Sequence, residues 1–344
     1  MIIKLKYLGG SMVEIEKIIL HVLDCEHNTC IPSTSCMQEL HPEIEKMILS
    51  KVDKVFRSSL RKNGNLHKSH IFTSWLDSYK QQALSFEDLS CQLAQYLFDK
   101  KMQYAQYQSS DCMIAIIMKE GRRYLFVLDN SYIQGITHHL KQNEVGIVNE
   151  IITHQTLLSS NLLSKDRAFV IELSDYSLLC VEQKVEIEGS KQYFIGDIVL
   201  QSKIAPSYKE SVSNISKITE AMSDKYDLDE VEIIPKMKSI IVDNVEQQKP
   251  ISVDEIASIL FENRPLIQDD FKEEIRKQGI PEQIDVEHVK TTRSQKVQKI
   301  KTDKGIEVII PIDYMNSKEF VEFKNQPDGT ISIQLKNITH ITSK

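Results

Sequence analysis

The chain has 344 residues, and 42 Lys and Arg stand against 49 Asp and Glu, a formal net charge of −7. Hydrophobic residues at 41% and charged residues at 26% fit a globular chain of about two domains. With 11 Gly and 9 Pro the sequence is neither collagen-like nor generally disordered, and its acidic balance disfavours coating nucleic acid by charge alone.

Met1–Tyr7 alternates apolar residues with Lys before Gly9-Gly10-Ser11, a pattern without the apolar core of a secretory signal. Glu14–Asp24 mixes alternation with an apolar centre and predicts a strand. A thiol and imidazole cluster follows at His21, Cys25, His27, Cys30, Cys36 and His41. Its cysteines lack the short Cys-x2-Cys knuckles that assemble a tetrahedral zinc site, so no metal is expected there. With Cys91, Cys112 and Cys180 the chain has six cysteines, too few for a disulfide scaffold, and reduced thiols in the cytoplasm are expected.

From Gln38 to Leu60 apolar residues recur at Leu40, Ile44, Met47, Ile48, Val52, Val55, Phe56 and Leu60, the spacing of a helix with Pro42 in its first turn. Ser85-Phe-Glu-Asp88 is a cap signature for a second helix, with Phe86, Leu89, Leu93, Tyr96 and Leu97 as its buried stripe. Cys112–Met118 and Tyr124–Leu128 predict two strands joined at Glu120-Gly121-Arg122-Arg123. His138-His139 reads as a polar helix or loop surface without a role. Ala168–Leu173, Ser177–Glu186 and Gln192–Val199 predict further antiparallel strands. Helices are expected over Tyr208–Met222 and Pro235–Val245, with the acidic run Glu220–Glu232 between them as a solvated surface or loop.

Gln247–Pro250, polar and Pro-terminated, is the expected boundary between domains 13–248 and 249–344. Ser252-Val-Asp-Glu255 opens a helix to Phe261, and Gln268–Gln278 predicts another that stops at Gly279. Two hairpins follow: Val297–Thr302 with Ile306–Ile310, and Phe320–Lys324 with Thr330–Leu335. The fold expected is α+β: helices on a mostly antiparallel sheet, then a smaller domain pairing two helices with hairpins. No apolar stretch approaches the ~20 residues that span a bilayer, so no membrane partner is expected.

The common enzyme motifs are absent: no glycine-rich phosphate loop, no G-x-S-x-G elbow and no H-E-x-x-H helix. No cofactor and no catalytic residue are expected. Asp166 with Glu182-Gln-Lys184 loosely suggests a nuclease that holds a divalent ion on carboxylates, an alternative built from three common residues. Two segments oppose the net charge. Lys51–His70 carries Lys51, Lys54, Arg57, Arg61, Lys62 and Lys68 against Asp53, and His288–Lys304 carries Lys290, Arg293, Lys296, Lys299, Lys301 and Lys304 against Asp303. Phosphates need cations at near-regular spacing, and the hairpin from Val297 could present them, so these segments supply the candidate DNA contacts. The pair Ser252–Phe261 and Gln268–Gln278 has a helix-turn-helix look, but Asp269, Asp270, Glu273 and Glu274 make its second helix a poor occupant of the major groove.

Three stretches together resemble the bacterial nucleoid-associated protein family (NdpA/YejK-like). They are EIEKIILHVLD at Glu14–Asp24, DCMIAIIMKEGRRYLFVLDN at Asp111–Asn130, and GIEVIIPIDYMNSKEFVEFKNQPDGTISIQLKNI at Gly305–Ile338. The helix pair that begins ISVDEIASIL holds the place of a similar pair in that family. The resemblance implies a cytoplasmic, non-enzymatic protein at the nucleoid that meets DNA directly or through DNA-bound proteins. It carries no established site residues, and the residues before Val13 extend beyond the family's usual start. The alternative within this frame is an adaptor recruited to the nucleoid by a protein partner without touching DNA.

Overall fold

The computed structural model describes residues 3–8, 11–144, 146–287, 289–327 and 330–342. The chain forms two compact units, Met1–Ala205 and Pro206–Lys344.

In the first unit the order is β1 (Ile3–Leu8), β2 (Ser11–Asp24), β3 (Thr29–Ile31), α1 (Pro42–Phe56), β4 (Lys62–Asn65), α2 (Ile71–Lys80) and α3 (Phe86–Gln103). There follow β5 (Ser110–Lys119), β6 (Arg122–Asn143), β7 (Gly146–Leu158), β8 (Arg167–Glu172), β9 (Ser177–Val181), β10 (Val185–Ile187), β11 (Ser190–Gln192) and a π-helical turn, Phe194–Val199. One antiparallel sheet runs β1-β2-β5-β6-β8-β9-β4, with β3 beside β2 and β7 beside β6. Because side chains alternate across a strand, its central strands are apolar on both faces. Cys112, Ile114 and Ile116 of β5 join Leu125, Val127, Phe169 and Ile171 in a core with α2 and α3. Met113, Ala115 and Ile117 join Phe126, Leu128, Ala168 and Val170 in a second core with Ile48, Val52 and Val55 of α1. Helices therefore cover both faces of the sheet.

Capping fixes where these helices begin. Ser85 Oγ accepts the Asp88 N–H at 3.0 Å at the start of α3, as its sequence indicates. The helix α2, which the pattern does not announce, starts at His70, whose Nδ1 accepts the Phe72 N–H at 3.2 Å. Phe72 buries against Trp75, Tyr96 and Phe169.

Three expectations change in this unit. The strand expected over Ser177–Glu186 ends at Val181, and the one expected over Gln192–Val199 is the π-helical turn after the short β11. Glu182 is the cause: its buried carboxylate accepts the N–H groups of Ile195 at 2.8 Å and Gly196 at 2.9 Å, which coils that backbone around it. His138 and His139 lie on β6, which continues far beyond the sheet and pairs there with β7, a strand not foreseen.

The second unit contains α4 (Tyr208–Tyr226), α5 (Glu230–Glu246), β12 (Ile251–Ser252), α6 (Val253–Leu260), α7 (Pro265–Lys277) and β13 (Gln283–Ile284). It ends with β14 (Val297–Lys301), β15 (Glu307–Pro311), α8 (Ile312–Met315), β16 (Val321–Asn325) and β17 (Ile331–Leu335). The capping box Ser207-x-x-Glu210 opens α4 directly after the division between the units. The boundary expected at Gln247–Pro250 lies inside this unit. Ile241 and Val245 of α5 share one core with Ile251, Ile256 and Phe271, so the segment only turns the chain within that core. The acidic run is a solvated surface, as expected, with its exposed carboxylates carried mainly on helices. Glu220 and Asp224 belong to α4, Asp229 caps α5 by accepting the Val231 N–H at 2.9 Å, and Glu230 and Glu232 occupy its first turn, where carboxylates suit the helix dipole. No helix among the described residues is long and apolar enough to cross a membrane.

His21 of β2 is buried, and its Nδ1 accepts the Ser33 N–H at 3.1 Å, which places the ring proton of the neutral form on Nε2. Burial pushes its pKa down from 6.5 to about 4. The folded form thus holds fewer protons than the unfolded chain between these values. Its stabilising contribution is complete above pH 6.5 and is lost as pH falls toward 4. From pH 7 to pH 5 this costs about 2 kcal/mol. Urea unfolding at the two pH values checks it, and His21→Asn is expected to flatten the dependence by that amount.

Candidate nucleic-acid interface

The hairpin β14–β15 turns at Asp303-Lys304-Gly305, where Gly305 takes φ +81° and the Thr302 N–H reaches the Ile306 carbonyl at 2.9 Å. Its register pairs Lys299 with Ile309 and Lys301 with Glu307. Ile300, Val308 and Ile310 point to a small core with Met315, Val321 and Phe323, so strand alternation turns Lys299 and Lys301 to the exposed side.

All six cations of the segment are exposed, but they are not equivalent. Lys296 pairs with Glu246, Lys299 with Glu307 at 2.8 Å and Lys304 with Asp303 at 3.3 Å. Lys290, Arg293 and Lys301 have no ion pair among the described residues.

The first basic segment is spent largely inside its own unit. Lys54 donates to Asn161 Oδ1 at 2.7 Å, Arg57 pairs with Asp53 at 2.9 Å, and Arg61 donates to the Phe56 carbonyl at 2.9 Å. Lys62 is only 3% exposed, with its ammonium 3.0 Å from the Tyr193 ring centroid and 4.0 Å from Glu182. Burial under Tyr193 therefore removes Lys62 from any surface that could face phosphate. Lys51 is buried too, donating to Asn130 and lying 3.7 Å from Asp166.

The carboxylates of the nuclease alternative occupy separate buried networks. Asp166 accepts the N–H groups of Ser131 at 2.9 Å and Leu163 at 2.8 Å. Glu182 holds Ile195 and Gly196, while Lys184 stands 5.0 Å from the Tyr193 ring centroid. Their oxygens bind protein donors that a divalent ion would have to displace. Among the described residues no group of three or more His, Cys, Asp or Glu could hold a metal, and the cluster from His21 to His41 forms none.

Sequence reasoning missed the third buried lysine. Lys101 of α3 donates to Ser110 Oγ at 2.7 Å and Asp129 Oδ1 at 3.1 Å, and Arg167 lies 3.7 Å from the same carboxylate. Burial pushes the Asp129 carboxyl up, but Lys101 and Arg167 outweigh it and hold its pKa below the ordinary range. A signal existed. Lys51 follows Ile48 by three and precedes Val55 by four, and Lys101 follows Leu97 by four, so both sit on apolar helical stripes.

With this geometry in place, the comparison with known families is decisive. The family model described as Nucleoid-associated protein YejK matches residues 19–341, nearly the whole chain. The chain belongs to this family. The match extends over most of both units of this YejK-family protein and includes the basic hairpin, and membership carries association with the nucleoid. No curated protein matches the chain.

Glu182 is a structural residue in this arrangement, and truncating it would leave the Ile195 and Gly196 N–H groups without their acceptor and remove the carboxylate that stands 4.0 Å from Lys62. Glu182→Ala is expected to destabilise the protein by about 3–5 kcal/mol. Urea unfolding of the variant against the parent checks this.

Proposed function

We propose that this protein acts at the nucleoid without catalysis and binds duplex DNA through the exposed basic segment Lys290–Lys304. The observation that carries the reading is the presentation of Lys290, Arg293, Lys296, Lys299, Lys301 and Lys304 on a loop and hairpin whose apolar side is turned inward. Cations in such an array neutralise phosphates and release counterions, which gives affinity without base readout. Three of the six are already paired with carboxylates, so the contact is local and salt-sensitive. Lys54, Arg57 and Arg61, half-buried and engaged within the first unit, contribute at most a secondary contact.

A second reading, an adaptor that reaches the nucleoid through a DNA-bound protein, is favoured by the apolar surface beside the hairpins. A groove of about 290 Å³ is lined there by Ile309, Tyr314, Phe320, Leu335 and Ile338, and Ile309, Leu335 and Ile338 are exposed. Protein that shifts no duplex even at low salt, yet co-purifies with a DNA-bound protein, would decide for the adaptor.

If all six cations met phosphates, the slope of log affinity against log salt would be about −5, whereas the three outside ion pairs alone give about −3. The slope expected lies between these values. Changing Lys296, Lys299 and Lys301 together to Glu is expected to weaken duplex binding at low salt by at least about tenfold and to flatten the slope. Fluorescence-anisotropy titrations at several salt concentrations read both effects, and unchanged binding would remove this hairpin from the interface.

A further inference from the structure

The pairing of β6 with β8 ends at Asp129, and beyond it β6 and β7 run on as a ribbon of two strands. Its register sets Ile136 opposite Thr153, His138 opposite Ile151, Leu140 opposite Asn149 and Gln142 opposite Ile147, so these eight side chains share one face. On that face Ile136 and Ile151 are 81% exposed, Ile147 70% and Leu140 62%. The charged pair of the ribbon, Lys141 with Glu150 at 3.6 Å, lies on the opposite face.

An isolated two-stranded hairpin is marginal in water, and exposed aliphatic side chains set diagonally along one face, each opposite an uncharged polar residue, mark a contact surface. We infer that this face is covered by the same face of a second copy of the chain, the two ribbons stacking about a two-fold axis. Such an axis sets a surface against itself, so any net charge on the surface would meet its like. This face satisfies the requirement, because its eight side chains include no Asp, Glu, Lys or Arg. A nucleic acid would find no cation on it, and a charged protein partner would bury its own charge without an answering group.

The dimensions agree. From Ile133 to Asn143 the ribbon runs ~35 Å, and two strands are ~10 Å wide. Stacking two such ribbons buries on the order of 1,000 Å² in total, at the lower limit for a specific interface. Ile136, Leu140, Ile147 and Ile151 would interdigitate as the inner faces of a sandwich do. A dimer carries the basic segment twice, so a weak contact with one duplex would be reinforced by the second at high effective concentration. The dimer stands or falls independently of that consequence.

Sedimentation equilibrium of the full chain is expected to give twice the 39.6 kDa chain mass. The double variant Ile136→Thr/Ile151→Thr keeps β-branched side chains while removing the apolar contact. It is expected to weaken self-association by at least roughly tenfold, whereas Thr137→Ser/Lys141→Gln on the opposite face leaves it unchanged. Hydrogen exchange of the parent protein supplies a measurement that needs no variant: amides of β6 and β7 in the ribbon should gain protection as protein concentration rises. A parent that stays monomeric at its highest soluble concentration would overturn the inference. So would a dimer whose mass resists the double variant and whose ribbon exchange ignores concentration, or ribbon protection that arises only when a different protein is added. Loss of DNA binding with the dimer intact would strike the proposed function and leave this inference standing.

Discussion

Burying both faces of β5 is the constraint on which the first unit depends. A strand with apolar side chains in both directions cannot face water, so helices must cover the sheet on each side. α2 and α3 meet one face and α1 the other, and the same alternation in β6 and β8 extends the two cores across the sheet. A charged group that enters these layers is costly unless an opposite charge or a polar partner meets it.

Three lysines satisfy this condition. Lys51 meets Asn130 and Asp166, Lys62 meets Glu182 beneath Tyr193, and Lys101 meets Ser110 and Asp129. A buried ion pair offers little net stability against an apolar alternative, but losing one partner strands the other at high cost. These contacts join α1 and α3 to the sheet and link β4 to Glu182, which follows β9. They also alter the meaning of the net charge. Part of the basic excess in Lys51–His70 neutralises acids inside the same unit, whereas the cations of Lys290–Lys304 remain on the surface. Charge counted along a sequence is therefore not charge available to a partner.

Much of the architecture was legible because it rests on local rules. The apolar spacing of α1, the Ser85 cap of α3, the strands around Gly121 and the hairpin around Gly305 follow from period and turn chemistry, which act over a few residues. The family resemblance carried on the same segments agrees with the match over residues 19–341. The illegible parts rest on partners distant in sequence. The π-helical turn exists because Glu182 gathers the N–H groups of Ile195 and Gly196. The expected break at Gln247–Pro250 looked like a linker because its residues are polar, yet the apolar residues on either side of it enter one core.

The sequence by itself determined the α+β class, the family, and the hairpin that carries the exposed cations, since periodicity, caps and turns are encoded in neighbouring residues. Only the tertiary structure decided which charges are spent inside and which face water, because pairing joins residues as far apart as Lys51 and Asp166. It likewise decided that the segment around His138 extends as an arm, one face of which carries Ile136, Leu140, Ile147 and Ile151 and no Asp, Glu, Lys or Arg. The sequence lists those side chains in order, but only the register of β6 against β7 places them side by side.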